Sequence, residues 1–309
     1  MKTYTILGAN GNIAKSVSKH LAGTENRIRQ FSRNPKKTNP NDELLSGDLL
    51  NPKDVKKATD GSDVVFLLAG LQYSTKVWKD QWPKVMKNTI DACEVSNSKL
   101  VFFDNMYALD PEHIGHITEE TPFGAKGPKG KVRQEILEML WKAIDEKRVT
   151  ALVARAADFY GPDAQNSIPN EMIFNKIQTG KNPQWLYSGD RAHSFTYIPD
   201  AGYATAFLSQ QDDSWNQTWN LPTCEDFPSA SQLVDEVNKL LGSNKKLTVL
   251  PALGVNILGL FVPILKEMKE NRYQLDQDYR FYSGKIAKKY NLHPTPLEIG
   301  LKRSLNLME

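Results

Sequence analysis

The chain has 309 residues, 39 basic and 36 acidic, for a formal net charge of +3. That length accommodates one large domain or two intimate ones, and so small a charge without a basic block excludes a nucleic-acid footprint. Cys93 and Cys224 share no metal or redox spacing and cannot form a disulfide framework, which predicts a reducing compartment and no metal site.

The first stretch, TYTILGANGNIA from Thr3 to Ala14, alternates apolar residues, breaks at Gly8, turns through Ala9-Asn10-Gly11 and enters a helix at Asn12. A phosphate cradle needs that order. Gly8 permits the tight turn, Gly11 lets backbone approach a pyrophosphate, and the small Ala14 lets helix pack on strand. The helix start at Asn12 and Ile13 offers backbone N–H groups and a positive dipole end to the anion. The spacing therefore predicts a dinucleotide held by Gly8, Asn10, Gly11, Asn12 and Ile13.

Strands and helices then alternate. After the helix Asn12–Leu21, strands are expected at Arg27–Ser32, Glu43–Leu45, Asp63–Ala69, Lys99–Phe103 and Thr150–Ala154. Helices are expected at Asn51–Thr59, Trp78–Ser96 and Lys129–Glu146; in the last, Val132, Ile136, Leu140 and Ala143 recur at helical spacing. This pattern predicts an α/β fold with a doubly wound parallel (Rossmann) sheet. Beyond Gly161-Pro162 the rhythm changes. A helix near Ile168–Thr179, a strand at Ser194–Ile198, a helix from Pro199-Asp200 and a return to the sheet edge at Trp219–Leu221 follow. The expected organisation is a dinucleotide-binding domain over 1–160, with 194–222 packed back onto it, and a smaller α/β substrate-binding region over 161–309.

The apolar run Leu247–Leu265 is broken by Pro251, Asn256 and Pro263, too short to span a bilayer. It reads as a strand, a proline turn and a short helix packing on the substrate side; a membrane-surface role is the minor reading. The opening Lys2-Thr3-Tyr4 lacks the pattern of a signal peptide. A soluble cytoplasmic protein with no membrane or nucleic-acid partner is expected.

The end of the second strand selects the nucleotide, an acid favouring a ribose diol and an arginine a 2′-phosphate. Here it reads Phe31-Ser32-Arg33-Asn34, with Lys36 and Lys37 behind and no carboxylate at the decisive position. Guanidinium donates paired bonds to phosphate, so NADP is the first choice and NAD the second, against a plain solvated basic loop. Asp48 and Leu49, and Ala69 and Gly70, fall at the ends of the next two strands, where adenine and its ribose would lie.

These pieces resemble the short-chain dehydrogenase/reductase superfamily, and more narrowly its NAD-dependent epimerase/dehydratase branch and atypical members. The matching segments are GANGNIA, EETP (Glu119–Pro122), Lys131 with Glu135, RAADFYGP (Arg155–Pro162) and SFTYIPDAGYA (Ser194–Ala204). The resemblance implies hydride transfer by a Ser/Thr–Tyr–Lys set in which the tyrosine precedes the lysine by four residues and acts as general acid/base. It also implies that Lys131 holds the nicotinamide ribose, and that Tyr160, Arg191 and His193 lie toward the substrate.

The catalytic set is altered. Gly127 stands where the tyrosine should be, and Asn105 where the serine should be. In one reading another acid serves, Tyr107 or the neighbouring Asp104 with Tyr160 as a second choice, while Asn105 binds a substrate oxygen. The function is then reduction or epimerisation of a small carbonyl or sugar-like substrate. In the other reading, similar to NmrA-like regulators, the protein binds NADP and turns nothing over. Arg155 is expected to support the YGP turn, and His113 and His116 to lie on a surface loop. A monomer or homodimer is expected.

Overall fold

A computed structural model describes every residue except Thr24, Asp163, Gln165, Asn166 and Glu309. In chain order its first elements are β1 (Thr3–Leu7), α1 (Asn12–Leu21), β2 (Arg27–Ser32), β3 (Glu43–Ser46), α2 (Pro52–Thr59), β4 (Val64–Leu67), α3 (Thr75–Ser96), β5 (Lys99–Asp104), α4 (Pro128–Asp145) and β6 (Ala151–Arg155). The apolar strands β4 and β6 are buried along their whole length, as strands covered on both faces must be.

Seven parallel strands form one sheet in the order Thr218–Asn220, β6, β5, β4, β1, β2, β3. The order reverses between β1 and β4, and ligands of such sheets sit beyond the carboxyl ends of the strands at that reversal. α2 starts one residue later than expected because Asn51 is its cap, its Oδ1 accepting the Lys53 N–H at 3.1 Å. Such a cap satisfies one of the orphan donors of the first turn.

The chain divides into two units. The first comprises Met1–Ala108, Pro128–Arg155 and Ala201–Leu221, and carries the large sheet. The second comprises Leu109–Gly127, Ala156–Asp200 and Pro222–Glu309. The second of the three first-unit segments ends at Arg155, and residues 109–127 belong to the second unit. Only 201–221 rejoin the first unit, because Phe195–Tyr197 pairs with Asp158–Tyr160 inside the second.

The second unit has its own core, in which Trp185, Phe195, Val234, Val237 and Leu301 meet. Its helix Ala230–Leu241 opens with a reciprocal Ser229–Gln232 capping box. The Leu247–Leu265 run forms the strand Thr248–Leu250 and the helix Ala252–Leu258, followed by a second helix, Pro263–Met268. One expectation about this run is corrected. Val255 is buried, but Leu253, Leu260 and Phe261 face solvent instead of packing inward. Among the described residues no helix is long and apolar enough to cross a membrane.

Candidate active site

The cradle is built at the reversal of strand order. Gly8 has φ +95°, and a Cβ there would lie 2.5 Å from the Ala69 backbone nitrogen. Only glycine lets the turn after β1 touch the end of β4. The Gly8 and Ala9 N–H groups both donate to the Phe31 carbonyl at 3.0 Å, locking the turn to β2. Asn10, at φ +81°, donates from Nδ2 to the Asn34 carbonyl at 2.8 Å and accepts the Lys36 N–H on Oδ1 at 2.9 Å. The side chain expected to meet a cofactor is thus also the brace of the loop that carries Arg33.

Gly11 is the N-cap of α1 and provides no side-chain cap, so the N–H groups of Ile13 and Ala14 lie outside the helix's own bonding. With the Gly8–Ala69 contact this fits the approach of a pyrophosphate. Arg33 is exposed and makes no ion pair among the described residues. The first acid after it in sequence, Asp42, is buried and accepts Gln30 Nε2 at 2.8 Å and the Thr38 and Asn39 N–H groups at 2.9 Å. Asp42 is therefore engaged elsewhere and does not pair with Arg33. Asp48 is exposed and accepts the Leu50 N–H at 3.0 Å, Leu49 accepts Asn88 Nδ2 at 2.9 Å, and Gly70 is exposed.

Beyond β5 the geometry redistributes the expected catalytic residues. Asn105 Oδ1 accepts the Tyr107 N–H at 3.0 Å, a turn-stabilising bond that leaves its amide N–H groups to donate to a substrate. Tyr107 stacks on Trp78, ring centroids 6.1 Å apart, and its hydroxyl lies 3.5 Å from that of Tyr73. Asp104 is held by two arginines. Its Oδ1 accepts Arg133 Nε at 3.1 Å and Nη2 at 2.6 Å, and its Oδ2 accepts Arg155 Nε at 3.1 Å, all three side chains being buried. Arg155 thus pairs with Asp104, its register partner across β5 and β6, and the expected role under the YGP turn is corrected.

The two lysines at the start of α4 face opposite ways. Lys131 and Glu135 lie on the exposed side of α4, whereas Lys129 is fully buried. On a helix, two residues turn a side chain through about 200°. Lys129 shares the inward face with Arg133, Ile136 and Leu140, and its Nζ sits 4.6 Å from the Tyr73 ring centroid and 3.4 Å from Thr75 Oγ1. Motif spacing pointed to Lys131, and the burial pattern of the helix was the signal that could have pointed to Lys129. Tyr73 had no signal, because it lies in an aperiodic loop.

At Gly127 a Cβ would clash with the Glu270 carboxylate, so the space where the family's tyrosine begins is filled from a distant part of the chain.

Two of the three expected substrate residues belong to the second unit's core. Tyr160 is buried against Tyr197, centroids 5.2 Å apart, and against the backbone of Gly300. Burial pushes its hydroxyl well above the ordinary range, which makes it a weaker acid than an exposed phenol. His193 is enclosed by Phe195, Tyr279 and Trp185, its Nε2 2.8 Å from Asp158 Oδ2. That encloses it rather than presenting it to a ligand. Arg191 is exposed. Beside it a polar recess of about 410 Å³ is lined by Asp190, Asp226, Gln232, Asp278 and Arg280. Three carboxylates against one guanidinium, itself 2.9 Å from Asp278, disfavour a polyanion there.

The family model for the NAD dependent epimerase/dehydratase family matches residues 4–221. No curated protein matches the sequence. Among solved structures, UDP-glucuronic acid 4-epimerase from Bacillus cereus, in complex with UDP-glucuronic acid and NAD, superposes with a TM-score of 0.79 at 16% identity, covering 99% of this chain and 98% of that one. The dTDP-glucose 4,6-dehydratase of Bacillus anthracis, in complex with NAD, has a TM-score of 0.79 at 15% identity over 99% and 96% of the two chains. The UDP-glucose 4-epimerase of Thermotoga maritima, with UDP-glucose, has 0.77 at 16% over 99% and 98%. At these identities the likeness is one of fold.

Proposed function

The chain belongs to the NAD-dependent epimerase/dehydratase family, and within it we propose that it binds NADP(H) in the cradle after β1 and acts on a small carbonyl or sugar-like substrate as an oxidoreductase or epimerase. The observation that carries the cofactor assignment is the Gly8–Ala69 contact beside the uncapped start of α1. Exposed Arg33, on a loop braced by Asn10, favours the 2′-phosphate. Solved relatives in fold hold NAD, which makes NAD the competing cofactor to be measured. Asp48, Leu49, Ala69 and Gly70 would border the adenosine side.

A bound nicotinamide supplies or takes up the hydride. The chain's own part is the proton. Tyr107 donates its proton to the substrate oxygen and takes the Tyr73 hydroxyl proton in turn, and the Lys129 ammonium against the Tyr73 ring stabilises the phenolate then left on Tyr73. Asn105 orients that oxygen through its amide. The regulatory reading rests on Gly127, whose missing phenol is replaced by a filled space.

Calorimetry with NADPH and NADH, followed by an NADPH-consumption screen over aldehydes, ketones and nucleotide sugars, tests both. Arg33→Ala should weaken NADPH by about tenfold or more with little effect on NADH. Lys129→Met or Tyr107→Phe should lower kcat by about 100-fold, with Lys131→Ala near wild type. Tight NADPH binding without turnover on any compound would select the regulator. Binding of neither nucleotide would refute the proposal.

A further inference from the structure

The largest unexplained surface feature lies in the second unit. Seven of the fifteen exposed large apolar side chains among the described residues fall between Leu253 and Ile264. They lie on the two short helices and the turn between them. Val255 faces the core from the first helix, while Leu265 and Met268 pack against it from the second. The same helices show Leu253, Ile257 and Ile264 to solvent, so the segment is apolar on both faces. The most exposed side chains are Leu260 and Phe261, both at 78%, and they occupy the turn itself. Backbone bonds hold that turn: Leu260 N–H to Ile257, and Phe261 and Val262 N–H to Leu258. The apolar tip is therefore presented by structured backbone.

The charges around it are mostly basic, with Glu267 the nearest acid, directly after Lys266. From Leu247 to Leu265 there is no charged residue, and the first charges on either side are Lys245-Lys246 and Lys266. Lys246 and Lys266 are exposed, and Lys269 reaches back toward the turn at Gly259. An apolar tip with flanking lysines is the composition of an element that lies in the headgroup region of a bilayer. Four lysines (Lys245, Lys246, Lys266, Lys269) against two acids (Glu267, Glu270) at the rim leave an excess of positive charge that two copies of the same patch would set against itself, and that an anionic surface would meet.

We propose that the hairpin 252–268 is a membrane-surface anchor, inserting Leu260 and Phe261 into the acyl boundary while Lys246, Lys266 and Lys269 meet anionic phospholipid headgroups. The chain lies on the bilayer, since neither helix is long enough to span it. The inference is independent of the nucleotide site, so the two stand or fall separately.

The test is sedimentation of the full chain with phosphatidylcholine vesicles, with and without phosphatidylserine. The wild type should partition onto phosphatidylserine vesicles, less so as salt rises, because surface charge pairing is screened. Leu260→Asp with Phe261→Asp should cut that partition at least about tenfold without changing the thermal midpoint, since both side chains are in solvent. Lys246→Glu with Lys266→Glu should weaken binding to anionic vesicles only. A wild type that stays in the supernatant with both vesicle types overturns the proposal, and so does undiminished binding by the aspartate variant. A dimer in light scattering that the aspartate variant dissolves, without vesicle binding, overturns it in favour of contact between copies.

Discussion

Replacing Asp104 with asparagine should unfold the first unit well before it touches chemistry. The Asp104 carboxylate accepts three guanidinium bonds, at 3.1 and 2.6 Å from Arg133 and 3.1 Å from Arg155, with its side chain at 0% exposure. Arg133 is further boxed by the rings of Trp82 and Phe102, at 4.8 and 4.7 Å. Asparagine keeps the shape but leaves two buried cations without an anion. Breaking a buried ion pair in this way costs about 3–5 kcal/mol, a large share of the roughly 5–15 kcal/mol by which domains are stable. The thermal midpoint should fall by on the order of 10 °C, measured by calorimetry alongside urea titration. Asp104→Leu with Arg133→Met and Arg155→Met should recover most of the loss, because apolar replacement of the whole trio removes the desolvation cost together with the charges. If Asp104→Asn unfolds within about 1 kcal/mol of wild type while activity vanishes, the structural assignment is wrong and Asp104 is the acid.

Gly300→Ala should destabilise the second unit by about 1–3 kcal/mol, because a Cβ would press on the Tyr160 ring, whose Cε2 lies 3.0 Å away, and on its hydroxyl. Tyr160→Phe alone should be nearly neutral in urea unfolding, since that buried hydroxyl has no hydrogen-bond partner among the described residues. Combined with Gly300→Ala it should return part of the loss; full additivity would refute the contact. Both thiols should resist modification at pH 8 in the native protein. Burial pushes Cys224 up to about 11 and Cys93 higher still, so the reactive thiolate forms only as pH rises toward those values. Rapid labelling by a disulfide reagent at pH 8 before denaturant is added would contradict that burial.

The parallel sheet and the glycine cradle were legible in the sequence because they rest on local rules. Two-sided burial writes continuous apolar strands such as Val64–Leu67, helices write three- and four-residue steps, and the positive φ of Gly8 restricts that turn to glycine. The place of Arg33 just after the second strand was legible for the same reason, being fixed by its distance from the turn. What only the tertiary structure decided is which side chains meet. Lys129 rather than Lys131 faces inward because the phase of α4 is set by what it packs on, which motif spacing does not see. Tyr73 comes to Tyr107 from a loop with no period. Asp104 is bound by Arg133 and Arg155 because β5 and β6 end in register and α4 passes over them. Tyr160 and His193 lie in a motif that resembles a substrate segment, yet the second unit closes around them. Local chemistry specifies the elements and the turn that joins the first two; the Tyr73–Tyr107 and Asp104–Arg133–Arg155 groupings are contacts between distant segments, and those exist only once the chain has packed.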